Sequence, residues 1–371
     1  MRDTIRRARL SYLLAEARKG ARLDDEEVRF LLGLTAGDEL ERLFQAARDL
    51  RRAIFGTDVF LYGFIYFSTF CRNDCRFCLF RRSNRGHRRY RKTTEEVLDA
   101  ASQLAASGVH LIDLTLGEDP EILDSRTSGA ARIAELAAAV KSATSGLPVM
   151  VSPGLAGPAA LQCYAAAGIE WYACYQETHC RTLFEQLRPG QSVDARWQAK
   201  LDAKRLGLLV EDGVLCGVGE AISEIAESVA WMRKLDADQV RVMSFIPQPG
   251  TPMETHSAPD FQRELHVLAV LRLAFPEILI PASLDVEGLG GLRRRLEAGA
   301  NVVTSLIAPN AGLVGVANAD LDIGNARRTV AAVLPVLSSC GLKPAPQESM
   351  QLWMQNRQRF AARRDGAGAA C

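Results

Sequence analysis

No run of about 18 uninterrupted apolar residues occurs in this 371-residue chain, so no membrane-spanning helix is read from it. Charge of one sign is also missing: 45 Lys and Arg stand against 44 Asp and Glu, a formal net charge of +1. That balance gives no global attraction to nucleic acid or to an anionic membrane. Histidine is scarce. His87, His110, His179, His256 and His266 form no metal-ligand spacing, and no Ser/His/Asp ordering suggests a nucleophilic triad. The nine cysteines are odd in number and form no regular framework, which argues against a secreted disulfide scaffold. The opening residues, Met1 to Arg7, lack the apolar core of a signal peptide, and a reducing cytoplasm is the expected setting.

What the chain does have is a 48 % apolar, 24 % charged composition, enough for a packed core of one large barrel or two ordinary domains. Its distinctive stretch is Cys71-Arg-Asn-Asp-Cys75-Arg-Phe77-Cys78, a C-x3-C-x2-C spacing with an aromatic residue before the third thiol. Three thiolates can hold three irons of a [4Fe-4S] cluster and leave the fourth iron open for a substrate or cofactor. A zinc site usually needs a fourth protein ligand, and none is evident nearby. Cys163, Cys174, Cys180, Cys216, Cys340 and Cys371 are scattered and read as small hydrophobes or surface thiols.

Residues 1–56 read as an N-terminal helical extension. Asp24 with Glu27 and Thr35 with Asp38 mark helix starts, and Leu31, Leu32, Leu40, Leu43 and Phe44 supply an apolar face. Beyond residue 57 the pattern becomes strand, loop, helix, repeated. Strand candidates are 59–67, 110–116, 148–152, 170–175, 208–215, 239–245, 278–283 and 301–306. Helical stretches include 94–107, 130–142, 223–234 and 262–274. Eight strands alternating with helices predict an α/β fold, a (β/α)8 TIM-type barrel over residues 57–345. Residues 346–371 are read as a C-terminal tail, partly disordered from Ala361 onward.

Strands of a parallel barrel are buried on both faces, so ionisable residues inside them need a reason. Asp113 and Thr115 share one strand face, as do Arg241 and Met243, and Ser283 and Asp285; Glu177 lies at the end of its strand. All fall toward C-terminal strand ends, where barrel enzymes place their sites. Two carboxylates, a guanidinium and a hydroxyl complement a diamino acid. Arg241 could grip the carboxylate, and Asp113 and Asp285 could each take an ammonium. An internal salt-bridge network without a ligand, or Asp285 capping the next turn, is the alternative. Glu118, Ser152 and the Gly213–Glu220 turn sit at strand ends, Arg188 follows the fourth strand, and residues 81–92 are dense in arginine.

The cysteine loop after the first barrel strand resembles the radical S-adenosylmethionine superfamily. The runs Phe64-Ile-Tyr-Phe-Ser-Thr-Phe-Cys71, Ile112-Asp-Leu-Thr-Leu-Gly-Glu-Asp-Pro120, Tyr175-Gln-Glu-Thr178, Gln239-Val-Arg-Val-Met243 and Ile280-Pro-Ala-Ser-Leu-Asp285 are similar, in combination, to the methylornithine synthase family within its biotin-synthase-like branch. Leu79-Phe80 stand where tyrosines are expected, and the end beyond about Lys343 matches poorly.

The resemblance implies Cys71, Cys75 and Cys78 as cluster ligands. It implies S-adenosylmethionine held by Phe77, Glu118, Ser152, Glu177, Arg188 and Gly217, and an amino acid held by Asp113, Arg241, Ser283 and Asp285. It implies an isomerase that converts lysine to (3R)-3-methyl-D-ornithine by radical fragmentation and recombination, fed by flavodoxin or ferredoxin. Alternatives are a biotin-synthase-like or hydrogenase-maturation-like enzyme on another amino acid, or an RNA-modifying one. Neutral overall charge disfavours a nucleic-acid partner. Replacing any of Cys71, Cys75 or Cys78 with Ala is expected to abolish the iron–sulfur absorbance of reconstituted protein; an intact cluster in such a variant contradicts the ligand assignment.

Overall fold

A computed structural model of the protein describes residues 2–123, 128–309 and 328–368. Three helices precede the barrel: α1 (Arg2–Arg18), α2 (Asp25–Leu32) and α3 (Gly37–Phe55). The Asp24 carboxylate accepts from the Glu27 backbone N–H while Glu27 reaches back to the Asp24 N–H, closing the capping box anticipated there.

The first half of the barrel alternates β1 (Asp58–Ser68), α4 (Thr94–Ala106), β2 (Leu111–Leu116), α5 (Ser128–Ala143), β3 (Val149–Ser152), α6 (Pro158–Ala166) and β4 (Trp171–Ala173). Two helices, α7 (Arg181–Leu187) and α8 (Val193–Arg205), lead to β5 (Leu209–Cys216). Then come α9 (Ile222–Leu235), β6 (Gln239–Ser244), α10 (Phe261–Ala274), β7 (Pro281–Ser283), α11 (Gly288–Glu297) and β8 (Val302–Leu306). The chain ends in α12 (Val330–Ser339), β9 (Lys343–Pro344) and α13 (Gln347–Gly368). All eight strands expected from the sequence are present, and the parallel order β6-β5-β4-β3-β2-β1-β8-β7 is that of a (β/α)8 barrel. Between β6 and β7 a single bridge, Gln239 with Leu279, replaces a ladder.

Alternation along β1 divides its residues between two layers. Leu61 and Ile65 join the aliphatic layer under the helices, whereas Phe60, Tyr62, Phe64 and Tyr66 face inward. Below, Phe60, Tyr62, Leu111, Met150, Trp171 and Leu209 fill the barrel. Leu79 and Phe80, the residues that depart from the family pattern, are buried beneath the cysteine loop, with the Phe80 ring 5.6 Å from that of Tyr66.

The segment from residue 346 contains α13 (Gln347–Gly368), and residues 369–371 lie outside the described residues. Met350, Trp353 and Met354 recur at helical spacing. Met350 and Met354 are buried against the barrel floor, and Trp353 stacks on Trp171 at 5.9 Å. Lys343 and Pro344 also pair with Asp58 and Val59 of β1, tying this end of the chain to the first strand.

Arg272 of α10 closes the floor between β7 and β8. Fully buried, it donates to the carbonyls of Gly299 (2.9 Å), Pro276 (2.8 Å), Ile278 (2.9 Å) and Phe275 (3.2 Å), and to Asn301 Oδ1 (2.7 Å). The Phe275 carbonyl also accepts from the Ile278 N–H (3.4 Å) and Asn301 Oδ1 from the Ile280 N–H (2.8 Å), so among the described residues Arg272 alone answers the Gly299, Pro276 and Ile278 carbonyls. Arg272→Leu is expected to cost about 3 kcal/mol or more by orphaning several of them, measured as a lower urea midpoint; an unchanged midpoint contradicts this role.

Candidate active site

The cysteine loop leaves the top of β1 and is held from both sides. Ser68 Oγ donates to Asp119 Oδ2 (2.5 Å), and Arg91 grips the same carboxylate through Nε (2.7 Å) and Nη2 (2.9 Å). Burial opposes ionisation of Asp119, but these donors prevail and hold it below the usual carboxylate range. Gly117 is required here, because a Cβ on it would lie 2.2 Å from the Phe70 carbonyl oxygen. The arginine-rich segment folds back as a strap. Arg89 donates to the carbonyls of Thr69 (2.6 Å), Arg81 (2.8 Å) and Asn84 (2.9 Å), and Lys92 N–H donates to the Phe67 carbonyl (2.8 Å).

Cys75 is buried, and Cys71 and Cys78 are half-buried. Burial, then the neighbouring Cys75 and Cys71 thiolates, push the Cys78 thiol up to about 12; burial likewise raises Cys71. Cys71 and Cys78 held in this way need a cation to carry them as thiolates. Among the described residues no three His, Cys, Asp or Glu side chains come close enough to share one ion. A zinc centre needs its donors around a single point, whereas a four-iron cluster gives each thiolate its own iron, so separated thiols fit the cluster. Gln191 Nε2 (3.0 Å) and Arg188 Nη1 (3.4 Å) donate to Cys75 Sγ. Gln191 was not legible in advance, since nothing in its spacing marks it.

Above the aromatic layer lies a cavity of about 110 Å3 at the C-terminal strand ends. Phe77, Cys78, Glu177, Arg241 and Asp285 line it together with Phe64, Thr115, Tyr175, Leu215 and Gln248. The sequence left open whether Arg241, Asp113 and Asp285 await a ligand or belong to an internal salt-bridge network, and two of the three are paired. Arg241 Nε donates to Glu211 Oε1 (2.7 Å), and Tyr175 Oη donates to Glu211 Oε2 (3.0 Å). Arg328 Nη1 donates to Asp285 Oδ1 (2.8 Å), while Ser305 (2.7 Å) and Ser283 (3.1 Å) donate to Oδ2. A buried charge without a partner is costly, so the fold supplies one to each.

Asp113 differs. Among the described residues its Oδ1 accepts only from the hydroxyls of Thr115 and Ser152, both at 3.0 Å. Burial, then the Glu211 charge, push its carboxyl up to about 7. Glu211 escaped the sequence analysis as a side chain, although the period-two rule would have found it. Glu211 and Gly213 share the inward face of β5, while Asp212 points outward to Lys200 of α8 and to His179 (3.2 Å). Gly213 makes room for the guanidinium strand, since a Cβ there would lie 2.9 Å from the Arg241 carbonyl oxygen. Arg328 follows the stretch 310–327, which lies outside the described residues, and no local motif announces it.

The residues expected at the cofactor do not all gather in one place. Glu177 has φ +66°, a strained conformation for a non-glycine residue, and its carboxylate pairs with Arg188 Nη2 (2.8 Å). Arg188 lies 5.3 Å from the Phe77 ring centroid; Cys75 and Glu177 outweigh its burial and raise its pKa. The Ser152 hydroxyl is spent on Asp113. Glu118 lies outside the cavity, accepting from the Leu155 N–H (3.1 Å) with Arg196 at 3.6 Å. Gly217 (φ +88°) is explained by packing: its missing Cβ would lie 2.4 Å from Pro259. Glu220 caps that turn through the N–H groups of Gly217 and Val218.

Residues 65–232 match the Radical SAM superfamily. The chain is 43 % identical over 333 residues to the 3-methylornithine synthase of Methanosarcina acetivorans, covering 90 % of this chain and 93 % of that one. It is 31 % identical over 266 residues to the [FeFe] hydrogenase maturase subunit HydE of Thermotoga maritima, covering 71 % and 74 %. The crystal structure of methylornithine synthase (PylB) superposes with a TM-score of 0.86 at 43 % identity, covering 92 % of this chain and 99 % of that one. With this identity along nearly the whole length, and a three-cysteine loop above a charged barrel cavity, the chain belongs to the methylornithine synthase family of radical S-adenosylmethionine enzymes.

Proposed function

We propose that this enzyme is an intramolecular mutase that rearranges L-lysine to (3R)-3-methyl-D-ornithine, the first step toward pyrrolysine. The observation that carries the reading is the convergence of Arg241 and Asp285 on one cavity with Cys78 and Phe77, with Asp113 joined to that cavity through Thr115. A diamino acid offers a carboxylate to the guanidinium and ammonium groups to the carboxylates. When bound, the [4Fe-4S] cluster on Cys71, Cys75 and Cys78 and S-adenosylmethionine supply the 5′-deoxyadenosyl radical that takes a hydrogen from the substrate.

The protein's part is to position and exclude. Arg241 is held at Nε by Glu211 and touches Met243 Sδ through Nη1 (3.8 Å), a weak contact that a substrate carboxylate can replace. Phe64, Phe77, Leu215 and Phe245 wall the cavity against water. Glu177 and Arg188 form a fixed ion pair beside Cys75, suited to the charged end of S-adenosylmethionine. A migrating glycyl fragment and the remaining amine each keep a charged end, and tethering both favours their recombination over escape.

Asp113 makes this reading pH-dependent. Below about 7 the empty site holds a protonated carboxyl, and an incoming ammonium must drive that proton off. The KM for lysine is therefore expected to fall as pH rises from about 6 to 8, by close to tenfold per unit at the acid end. Asp113→Asn should weaken binding and flatten that limb; a pH-independent KM in the wild type contradicts the assignment. Asp285→Ala should retain the iron–sulfur absorbance yet lose lysine turnover, and wild-type turnover in that variant contradicts the placement of the substrate site.

A further inference from the structure

The cysteine loop has two sides. Cys78 lines the inner cavity, whereas Cys71 lines a separate outer groove of about 690 Å3 under the arginine strap. We propose that this outer face docks an acidic protein carrying a low-potential flavin or iron–sulfur centre, which delivers one electron at the Cys71 edge. The proposal rests on the reading of Cys71, Cys75 and Cys78 as cluster ligands.

Charge is concentrated here and nowhere implied by the whole. Residues 71–92 hold nine Lys and Arg and one acid, in a chain whose formal net charge is +1. Some of these cations have internal work. Arg89 stitches three carbonyls, Arg81 and Arg82 flank Asp74, and Arg91 is shared by Asp119 and Glu121. Arg76, Arg85 and Arg88 are exposed, and their side chains have no hydrogen-bond or ion-pair partner among the described residues. Arg82, Arg85, His87 and Arg91 rim the groove in which Phe70 and Cys71 lie.

Such a field draws an acidic partner in and orients it. Electron transfer between proteins requires the two centres to approach closely, so the donor must cover the point where a cluster ligand reaches the surface. Cys75 is buried and Cys78 faces the substrate cavity, which leaves Cys71. One electron leaves the donor and enters the cluster; the donor is oxidised by one, the cluster is reduced by one, and no bond forms or breaks. A nucleic acid would be drawn by the same charge, but of the two rings in the groove, Phe70 already carries the Arg91 guanidinium at 3.9 Å, which leaves only His87 as an open ring, a poor platform for successive bases.

The test is anaerobic stopped-flow reduction of reconstituted wild-type enzyme and the Arg85→Glu/Arg88→Glu double variant. Reduced flavodoxin is the acidic donor, and reduced methyl viologen is a cationic control. Flavodoxin should reduce the wild-type cluster at a rate that falls about tenfold or more between low salt and roughly 0.5 M salt. The double variant should be slower by a similar factor at low salt and nearly salt-independent. Viologen should reduce it at least as fast as wild type. Equal flavodoxin rates for both proteins, in the presence of intact iron–sulfur absorbance, overturn the docking surface alone. Tighter binding of a single-stranded RNA 20-mer than of flavodoxin, lost in the variant, overturns it in favour of nucleic acid. A wild-type protein that acquires no iron–sulfur chromophore overturns the cofactor reading beneath it.

Discussion

Ionisable side chains on the inner face of a closed parallel barrel must be paired, neutralised or answered by a ligand, and this site is arranged by that constraint. A lone charge moved out of water costs several kcal/mol even after relaxation. Arg241 answers Glu211, and Arg328 answers Asp285. Asp113 is left with two hydroxyls and a carboxyl pushed up to about 7. On the proposed function, an arriving ammonium completes the charge of this cavity. Pre-pairing also fixes the direction of each group before substrate enters, which limits the ordering that binding must impose.

The same economy shapes the loop above it. Burial opposes ionisation of Cys78 and Cys71, and the three cysteines of the loop face in different directions. Cys75 takes Gln191 and Arg188 from the α7–α8 segment, Cys78 turns to the cavity, and Cys71 to the arginine-rimmed groove. Gly117 lets the turn after β2 support the loop from below, and Asp119 joins that turn to both β1 and the strap. The proposed substrate cavity and the proposed electron-donor face thus lie on two sides of one short stretch of chain.

The barrel was legible because its rules are local and periodic. Eight strands could be placed from hydrophobic runs, and Asp113, Arg241 and Asp285 stood out as charges where aliphatic residues belong. Their partners were harder to see. Glu211 obeys the same alternation but sits beside Asp212, whose outward pairing with Lys200 hides which of the two acids faces in. Arg328 and Gln191 reach the site through tertiary packing, for which spacing carries no signal. Near the end of the chain, the stripe of Met350, Trp353 and Met354 packs on the barrel from within a largely polar segment, a contact that composition does not announce. Ser152 and Gly217 stand at the strand ends that the family resemblance indicated. Their contacts here, with Asp113 and Pro259, follow from packing that no motif records.

The central claim is that the paired charges of this cavity hold lysine for a radical-initiated skeletal rearrangement. Anaerobic incubation of the reconstituted enzyme with uniformly 13C-labelled lysine, S-adenosylmethionine and reductant tests it most directly. Mass spectrometry should find a product of unchanged mass, and NMR should show its carbon skeleton branched by a methyl group at C3. Recovery of unrearranged lysine, with S-adenosylmethionine cleaved and the cluster intact, would contradict the account.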